Sequence, residues 1–144
     1  MKVREIMTKD LLSVERDVRV RDLVFLFASA DVSGLPVVDD DGLLVGFISE
    51  EDLVRASLPR YVEMLPRASF IPDVGQVGKR LAVIADDPIE KYMRRDVVYV
   101  EAEDESLKAA ALMIRKGVRT LPVVDGEGRL VGHVKRIDVL ERLL

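Results

Sequence analysis

The amino-acid sequence predicts an α/β (α+β) protein of two pseudo-symmetric repeats, each ordered strand, helix, strand, strand, helix, with a helical insertion between them. The first observation behind this prediction is that residues 35–39, Leu-Pro-Val-Val-Asp, return as residues 121–125. The same displacement relates Gly46 to Gly132. The second observation is that helical apolar periodicity alternates with short apolar runs of strand length. A constant displacement across separated matches indicates duplication of a whole unit, which places two equivalent sites about a pseudo-two-fold axis.

The first repeat is predicted over residues 1–56. A short strand is expected around residues 12–14. The helix that follows is predicted because one face of a 3.6-residue period is apolar, with the members Val20, Leu23, Val24, Phe27 and Ala28. Residues 35–38 and 43–48 are predicted as strands paired around an Asp-Asp-Asp-Gly turn. Ser49 is expected to cap a final helix over residues 50–56.

The second repeat is predicted over residues 89–144 in the same order. A strand is expected over residues 97–100, and residues 121–124 and 130–134 are predicted to form the hairpin. A last helix is expected to begin near Arg136. The intervening helix is predicted to have an inner face made of Leu107, Ala110, Ala111 and Ile114.

Residues 57–88 separate the two repeats and contain four prolines. Apolar residues within 61–65 and again within 77–84 suggest two short helices. We therefore expect an ordered helical insertion that packs on the module or on a partner, rather than a plain linker.

Composition narrows the possible classes of protein. Each repeat alone is too small to bury a stable core, so the two are expected to form one module. The absence of cysteine excludes disulfides, thiolate metal sites and cysteine nucleophiles. A membrane span needs about 18 consecutive apolar residues, and no apolar run is that long. No hydrophobic signal region follows Met1. We therefore expect a cytoplasmic protein. A net charge of −4 argues against nucleic-acid or membrane binding. The absence of Asn and the 33% charged residues suggest a thermophilic source.

The duplicated unit, with Leu-Pro-Val-Val-Asp followed by Gly-x-x-Ser-x-x-Asp, resembles the CBS domain, and the pair resembles a stand-alone Bateman module. The resemblance covers both repeats and leaves residues 57–88 outside. It implies a regulatory module that binds adenosine-containing ligands (AMP, ADP, ATP or S-adenosylmethionine) in clefts between the repeats and acts on an unidentified protein. It also implies disc-like homodimers. No cofactor is required, although Mg²⁺ could accompany a bound nucleotide.

The resemblance implies a first cleft in which Asp52 accepts both ribose hydroxyls and Ser49 bonds to ribose or phosphate. The chemistry is sound, because one ionised carboxylate can accept two neighbouring hydroxyl donors. The alternative interpretation is purely structural: Ser49 only caps the helix, and Asp52 only interacts favourably with the helix dipole. The residues implied for this cleft are Arg16, Val32, Ser33, Gly34, Leu35, Pro36, Phe47, Ser49, Glu51 and Asp52.

The second cleft departs from the family pattern, because Lys135 stands where Ser or Thr is usual. Lys135 could pair with Asp138 and compete for the ribose carboxylate, or it could meet a phosphate. The sequence therefore predicts unequal clefts, with the better ribose signature in the first and the better phosphate electrostatics in the second. The residues implied for this cleft are Val118, Arg119, Thr120, Pro122, His133, Lys135 and Asp138.

No catalytic motif is recognisable, so we expect a protein that is not an enzyme. The rival to ligand sensing is a structural or protein-interaction module with degenerate, unoccupied clefts. A homodimer is expected because both terminal helices have apolar residues left to cover. These residues are Leu53, Val54, Leu58, Val139, Leu140, Leu143 and Leu144.

Overall fold

The structure, a computed structural model, describes residues 1–58 and 74–144. The first range contains a short helix that was not predicted, followed by three strands and two helices in the predicted order. Their bounds are α1 Val3–Ile6, β1 Val14–Glu15, α2 Val20–Ala30, β2 Gly34–Val38, β3 Leu44–Ser49 and α3 Glu50–Ser57. The predicted helix around residues 61–65 falls outside the described residues.

The second range contains α4, a short 3₁₀-helix, three strands and two further helices. The bounds are α4 Val74–Ile84, the 3₁₀-helix Ile89–Lys91, β4 Val100–Glu101, α5 Ser106–Lys116, β5 Thr120–Val124, β6 Leu130–Lys135 and α6 Arg136–Leu143. Within the described part of the insertion, Leu81 and Ile84 of α4 pack against the apolar core of the first half. None of the helices in residues 1–58 and 74–144 is long and apolar enough to cross a membrane.

Each half carries one three-stranded sheet, ordered β1-β2-β3 and β4-β5-β6. The first two strands of each sheet are parallel, which requires a crossover, and α2 and α5 supply it. The last two strands are antiparallel, with Gly34 opposite Ser49 and Thr120 opposite Lys135. The start of β2 and the end of β3 therefore meet at one end of each hairpin.

The segment that precedes each half in the sequence packs into the core of the other half, and we call these two the exchanged segments. Val3 and Ile6 of α1 lie in the core of the second half, whereas Ile89 and Met93 lie in the core of the first half. Each exchanged segment adds a backbone bridge to the last strand of the other half. Each core therefore contains residues from both repeats.

The bridges are equivalent in the two halves. Thr8 N–H donates to the His133 carbonyl at 2.8 Å, and His133 N–H donates to the Thr8 carbonyl at 2.9 Å. Phe47 and Arg94 exchange the same two bonds at 2.9 and 2.8 Å. Close approach is possible because Gly132 faces the first bridge: a Cβ there would lie 2.8 Å from the Thr8 carbonyl oxygen.

The predicted inner faces of the two long helices are partly wrong. In α5, Ala109 and Met113 are buried, whereas Leu107 and Ile114 are 78% and 74% exposed. In α2, Val20, Leu23 and Phe27 are buried as predicted, whereas Val24 and Ala28 are exposed. Residues 109–114 are apolar around most of the helix, so periodicity alone does not select the stripe that faces the sheet.

One residue of the apolar surface expected on the last helix of each repeat is buried instead. Leu53 is only 5% exposed and belongs to the core of the first half, because α3 lies against the sheet through this side chain. Val54, Leu140, Leu143 and Leu144 remain exposed, as expected. Leu58 and Val139 are half-buried.

Candidate ligand clefts

Most of the residues implied for ligand binding meet at one end of the hairpins. In the first half, the start of β2, the end of β3 and the start of α3 come together, and Arg94 reaches them from the exchanged segment that contains Met93. We call the region around Gly34, Phe47, Ser49 and Asp52 the first cleft. Its counterpart around Thr120, His133, Lys135 and Asp138 is the second cleft.

Ser49 and Asp52 form a reciprocal cap at the start of α3. The Ser49 N–H and Oγ–H donate to Asp52 Oδ2 at 2.8 and 3.0 Å, and the Asp52 N–H donates to Ser49 Oγ at 3.3 Å. A capping box satisfies backbone donors that the first helical turn leaves unpaired. The structural alternative considered for this pair is therefore present, and it uses one carboxylate oxygen of Asp52.

The other carboxylate oxygen of Asp52 is paired with arginine. Arg94 Nε donates to Asp52 Oδ1 at 3.2 Å, and Arg55 Nη1 lies 3.6 Å from the same oxygen. Both arginines also contact Glu51, Arg94 at 3.4 Å and Arg55 at 2.8 Å. The Asp52 side chain is only 4% exposed. Both oxygens implied for a ribose are thus engaged within the protein.

Sequence reasoning missed Arg94. Met93-Arg94 occupies the place in the second repeat that Met7-Thr8 occupies in the first. That correspondence marks Arg94 as the odd member of a duplicated pair, and it was readable from the sequence. Its partner in space was not, because Asp52 lies 42 positions away along the chain.

The wall of the first cleft is covered by the ring of Phe47. A Cβ on Gly34 would lie 2.8 Å from Phe47 Cε1, so the glycine makes room for this ring. Leu35 is buried in the core, Val32 packs against it, and Pro36 pairs with Phe47 across the hairpin. Ser33 is exposed, and its carbonyl accepts the Glu50 N–H at 2.9 Å.

Arg16 is not brought to this cleft. Its N–H donates to the Val38 carbonyl at 3.1 Å, and its guanidinium lies 3.7 Å from Glu90. Val38 is at the far end of β2 from Gly34, and at about 3.3 Å per residue the strand separates them by about 13 Å. The structure thus gives no support to a phosphate contact from Arg16 beside Asp52.

The second cleft has a different arrangement around its carboxylate. The Lys135 N–H donates to Asp138 Oδ2 at 2.7 Å. Within residues 1–58 and 74–144, nothing donates to Oδ1, and the Lys135 ammonium makes no ion pair with Asp138. Thr8 stands in the place of Arg94, so Asp138 keeps one oxygen available. Asp138 is half-buried.

Three exposed cations belong to the segments that form this cleft. They are Arg119, Lys135 and Arg136, and we call them the basic cluster. The Arg136 N–H donates to the Arg119 carbonyl at 3.2 Å, which is the counterpart of the bond from Glu50 to Ser33 in the first cleft. No side chain in the described part of the protein pairs with any of the three. The same backbone frame thus carries acids in one cleft and bases in the other.

His133 lies in the second cleft at the position equivalent to Phe47. Its Nε2 is buried, and it has no hydrogen-bond partner among the described residues. Burial, and then the charge of Lys135, lower the pKa of His133 below its usual value, against the opposing charges of Asp138 and Asp10. Pro122, opposite His133, is buried, and Val118 packs against the core of the second half. Thr120 is exposed.

Two open cavities lie at the opposite, turn end of the hairpins. One has a volume of about 470 Å³ and contains Arg95, Tyr99 and Glu101 in its wall. The other has a volume of about 580 Å³ and is lined partly by Arg4 and Lys9. Neither is lined by any of the residues implied for ligand binding.

No group of three or more His, Asp or Glu residues in the described ranges is placed to hold a metal ion.

The chain belongs to the CBS domain family. The model of the CBS domain matches it twice, over residues 3–59 and 89–144, which together make up more than half of the chain. These matches confirm the family that the sequence motifs indicated, and the duplicated strand-helix-strand-strand-helix unit is the one observed.

Similar proteins extend over almost the full chain. MJ1426 of Methanocaldococcus jannaschii is 31% identical over 156 aligned residues, covering 100% of this chain and 92% of that protein. The crystal structure of CBSX2 in complex with AMP has a TM-score of 0.73 at 26% identity, covering 99% of this chain and 95% of that one. The CBS domain of a membrane protein from Sphaerobacter thermophilus has a TM-score of 0.70 at 30% identity, covering 100% and 88%. The α/β fold predicted from the sequence is therefore confirmed as that of a CBS pair.

Proposed function

We propose that this protein is a regulatory module that senses an adenine nucleotide, bound in the second cleft. The observation that carries the proposal is the available Oδ1 of Asp138 beside the unpaired basic cluster. A ribose offers two hydroxyl donors to such a carboxylate, and a phosphate is attracted by exposed cations on the same side. The AMP complex of CBSX2, a relative with the same fold, supports this class of ligand.

The charge of the second cleft favours one group of adenosine ligands over another. AMP, ADP and ATP carry negative phosphates, whereas S-adenosylmethionine carries a positive sulfonium. The basic cluster attracts the former and repels the latter, because none of its three cations forms an ion pair within the described residues. We therefore propose an anionic nucleotide, with AMP as the first candidate.

Binding is tested by calorimetry with AMP, ADP, ATP and S-adenosylmethionine, together with thermal unfolding. We expect the phosphorylated ligands to bind and S-adenosylmethionine to bind more weakly. A ligand at 100 times its dissociation constant adds about 2.7 kcal/mol to the free energy of unfolding. If none of the four binds, the proposal is wrong, and the protein is then better described as an interaction module with unoccupied clefts.

The nucleotide would act by favouring one arrangement of the segments that form the second cleft. These segments are distant in the sequence, since Thr8 follows α1 and His133 lies in β6. A ligand that binds one relative position of these segments better shifts the population toward it, and a partner protein reads the difference.

We also propose that the regulatory unit is a homodimer. Leu140, Leu143 and Val54 are exposed on the terminal helices, and a two-fold partner with the same surface would cover them. Light scattering at micromolar concentration is expected to give about twice the monomer mass of 16.1 kDa. Leu140→Glu is expected to give monomers, whereas Val83→Glu, an equally apolar exposed site on α4, is expected to leave the dimer intact. A monomeric unmodified protein would contradict this proposal.

A further inference from the structure

Arg94 and Thr8 hold equivalent places in the two halves but differ in chemistry. Each makes the same pair of backbone bonds, Arg94 to Phe47 and Thr8 to His133. The backbone therefore delivers a side chain to each cleft in the same way. In the first cleft this side chain is a guanidinium on Asp52, and in the second it is a short hydroxyl.

We propose that Arg94 is an internal occupant of the first cleft, so that each chain binds a single nucleotide, in the second cleft. This rests on the proposed function. Arg94 holds the carboxylate that would otherwise accept a ribose, and the duplicated module becomes a one-site sensor. Removing Arg94 exposes a second, latent site for an uncharged nucleoside.

The hydrogen bonds of Asp52 show what a ribose would have to displace. Oδ2 accepts two bonds from Ser49, and Oδ1 is held by Arg94 at 3.2 Å, with Arg55 at 3.6 Å. The carboxylate is almost fully buried, so its bond to a cation is stronger than a bond to a neutral hydroxyl. A ribose hydroxyl that displaced Arg94 would exchange a strong bond for a weaker one.

The acidic surroundings of the first cleft determine what the freed site would accept. Glu50 and Glu51 lie in the first turn of α3 beside Asp52. Without Arg94, these carboxylates repel a phosphate. The latent site therefore suits adenosine rather than AMP, which is the opposite preference from that of the basic cluster.

Phe47 forms an apolar wall of the first cleft. Its ring lies beside Gly34, where a Cβ would come within 2.8 Å of Phe47 Cε1. In the second cleft the equivalent pair is Thr120 and His133, with Thr120 exposed. An aromatic ring suits the face of a purine base, so Arg94 is the group that a bound adenosine has to displace.

The test measures binding stoichiometry by equilibrium dialysis. The unmodified protein is expected to bind one AMP per chain. Asp138→Ala is expected to weaken the binding of both AMP and adenosine by about 10- to 150-fold, since only the closed first cleft remains intact. In the Asp138→Ala background, Arg94→Thr is expected to restore binding of one adenosine, and Arg94→Lys, which keeps a cation beside Asp52, is not. Threonine is the residue that the equivalent bridge already holds at Thr8, so the fold is expected to persist.

A reciprocal variant covers the case in which Arg94→Thr fails to fold. Thr8→Arg adds a cation to the second cleft, yet it is expected to lower AMP affinity about tenfold or more, because the new arginine takes Asp138. Tighter AMP binding by Thr8→Arg would mean that arginine at this place serves the phosphate, and the inference would be wrong. Two AMP molecules per unmodified chain would also overturn it while leaving the proposed function intact. Absence of AMP binding in the unmodified protein would instead refute the proposed function.

Discussion

Replacing Asp138 by alanine is expected to weaken AMP binding by about 10- to 150-fold. The substitution removes the ionised acceptor of the ribose hydroxyls, and hydrogen bonds to a charged group contribute about 1.5 to 3 kcal/mol. The effect is measured by isothermal titration calorimetry on the folded protein. Asp138 is half-buried and accepts one backbone bond from Lys135, so the fold is expected to tolerate the change.

Asp52→Ala is the matched control, because Asp52 is the equivalent residue of the first half. Its carboxylate is already held by Ser49 and Arg94, so its loss is expected to leave AMP affinity unchanged. It is expected to lower stability instead, since the cap and the buried partner of Arg94 are lost together. An equal loss of AMP affinity in both variants would contradict the assignment of the ligand to the second cleft.

Replacing Ile89 by alanine is expected to lower the free energy of unfolding by about 2 to 5 kcal/mol. Ile89 begins the second family match but is fully buried in the core of the first half, in the same apolar cluster as Leu23 of α2. Truncation removes apolar burial and leaves a cavity. Urea unfolding followed by circular dichroism measures the change.

Val83→Ala provides the comparison for Ile89→Ala. Val83 is an aliphatic residue of α4 that lies six positions before Ile89 in the chain, but it is 78% exposed. Its truncation is expected to change stability by no more than about 0.5 kcal/mol. Similar small effects for both residues would show that the exchanged segment does not belong to the core of the first half.

Much of the fold could be predicted from the sequence because it depends on local signals and on duplication. The hairpins follow from short apolar runs on either side of acidic, glycine-containing turns, and Asp39 and Asp125 each accept two backbone N–H bonds there. Ser49 was placed correctly as the cap of α3 for a similar reason. A cap depends on residues three positions apart, which a sequence shows directly.

The buried face of a helix was predicted less well where apolar residues surround the helix. In α5 the apolar residues surround the helix, so Leu107 and Ile114 looked as suitable for burial as Ala109 and Met113. The packing of α1 and the sheet against α5 selects one stripe, and α1 arrives from the far end of the sequence. Only long-range contacts decide such a case.

The sequence by itself determined the duplicated architecture, the family and the pair of equivalent carboxylates, Asp52 and Asp138. Only the tertiary structure decided which carboxylate is available. The segments that precede the two halves cross over, and this brings Arg94 to Asp52 and Thr8 to the second cleft. Neither pairing leaves a periodic signal, because the partners are far apart along the chain and meet only through an edge bridge. The difference in availability between these two equivalent carboxylates thus depends on a non-local ion pair, that of Arg94 with Asp52.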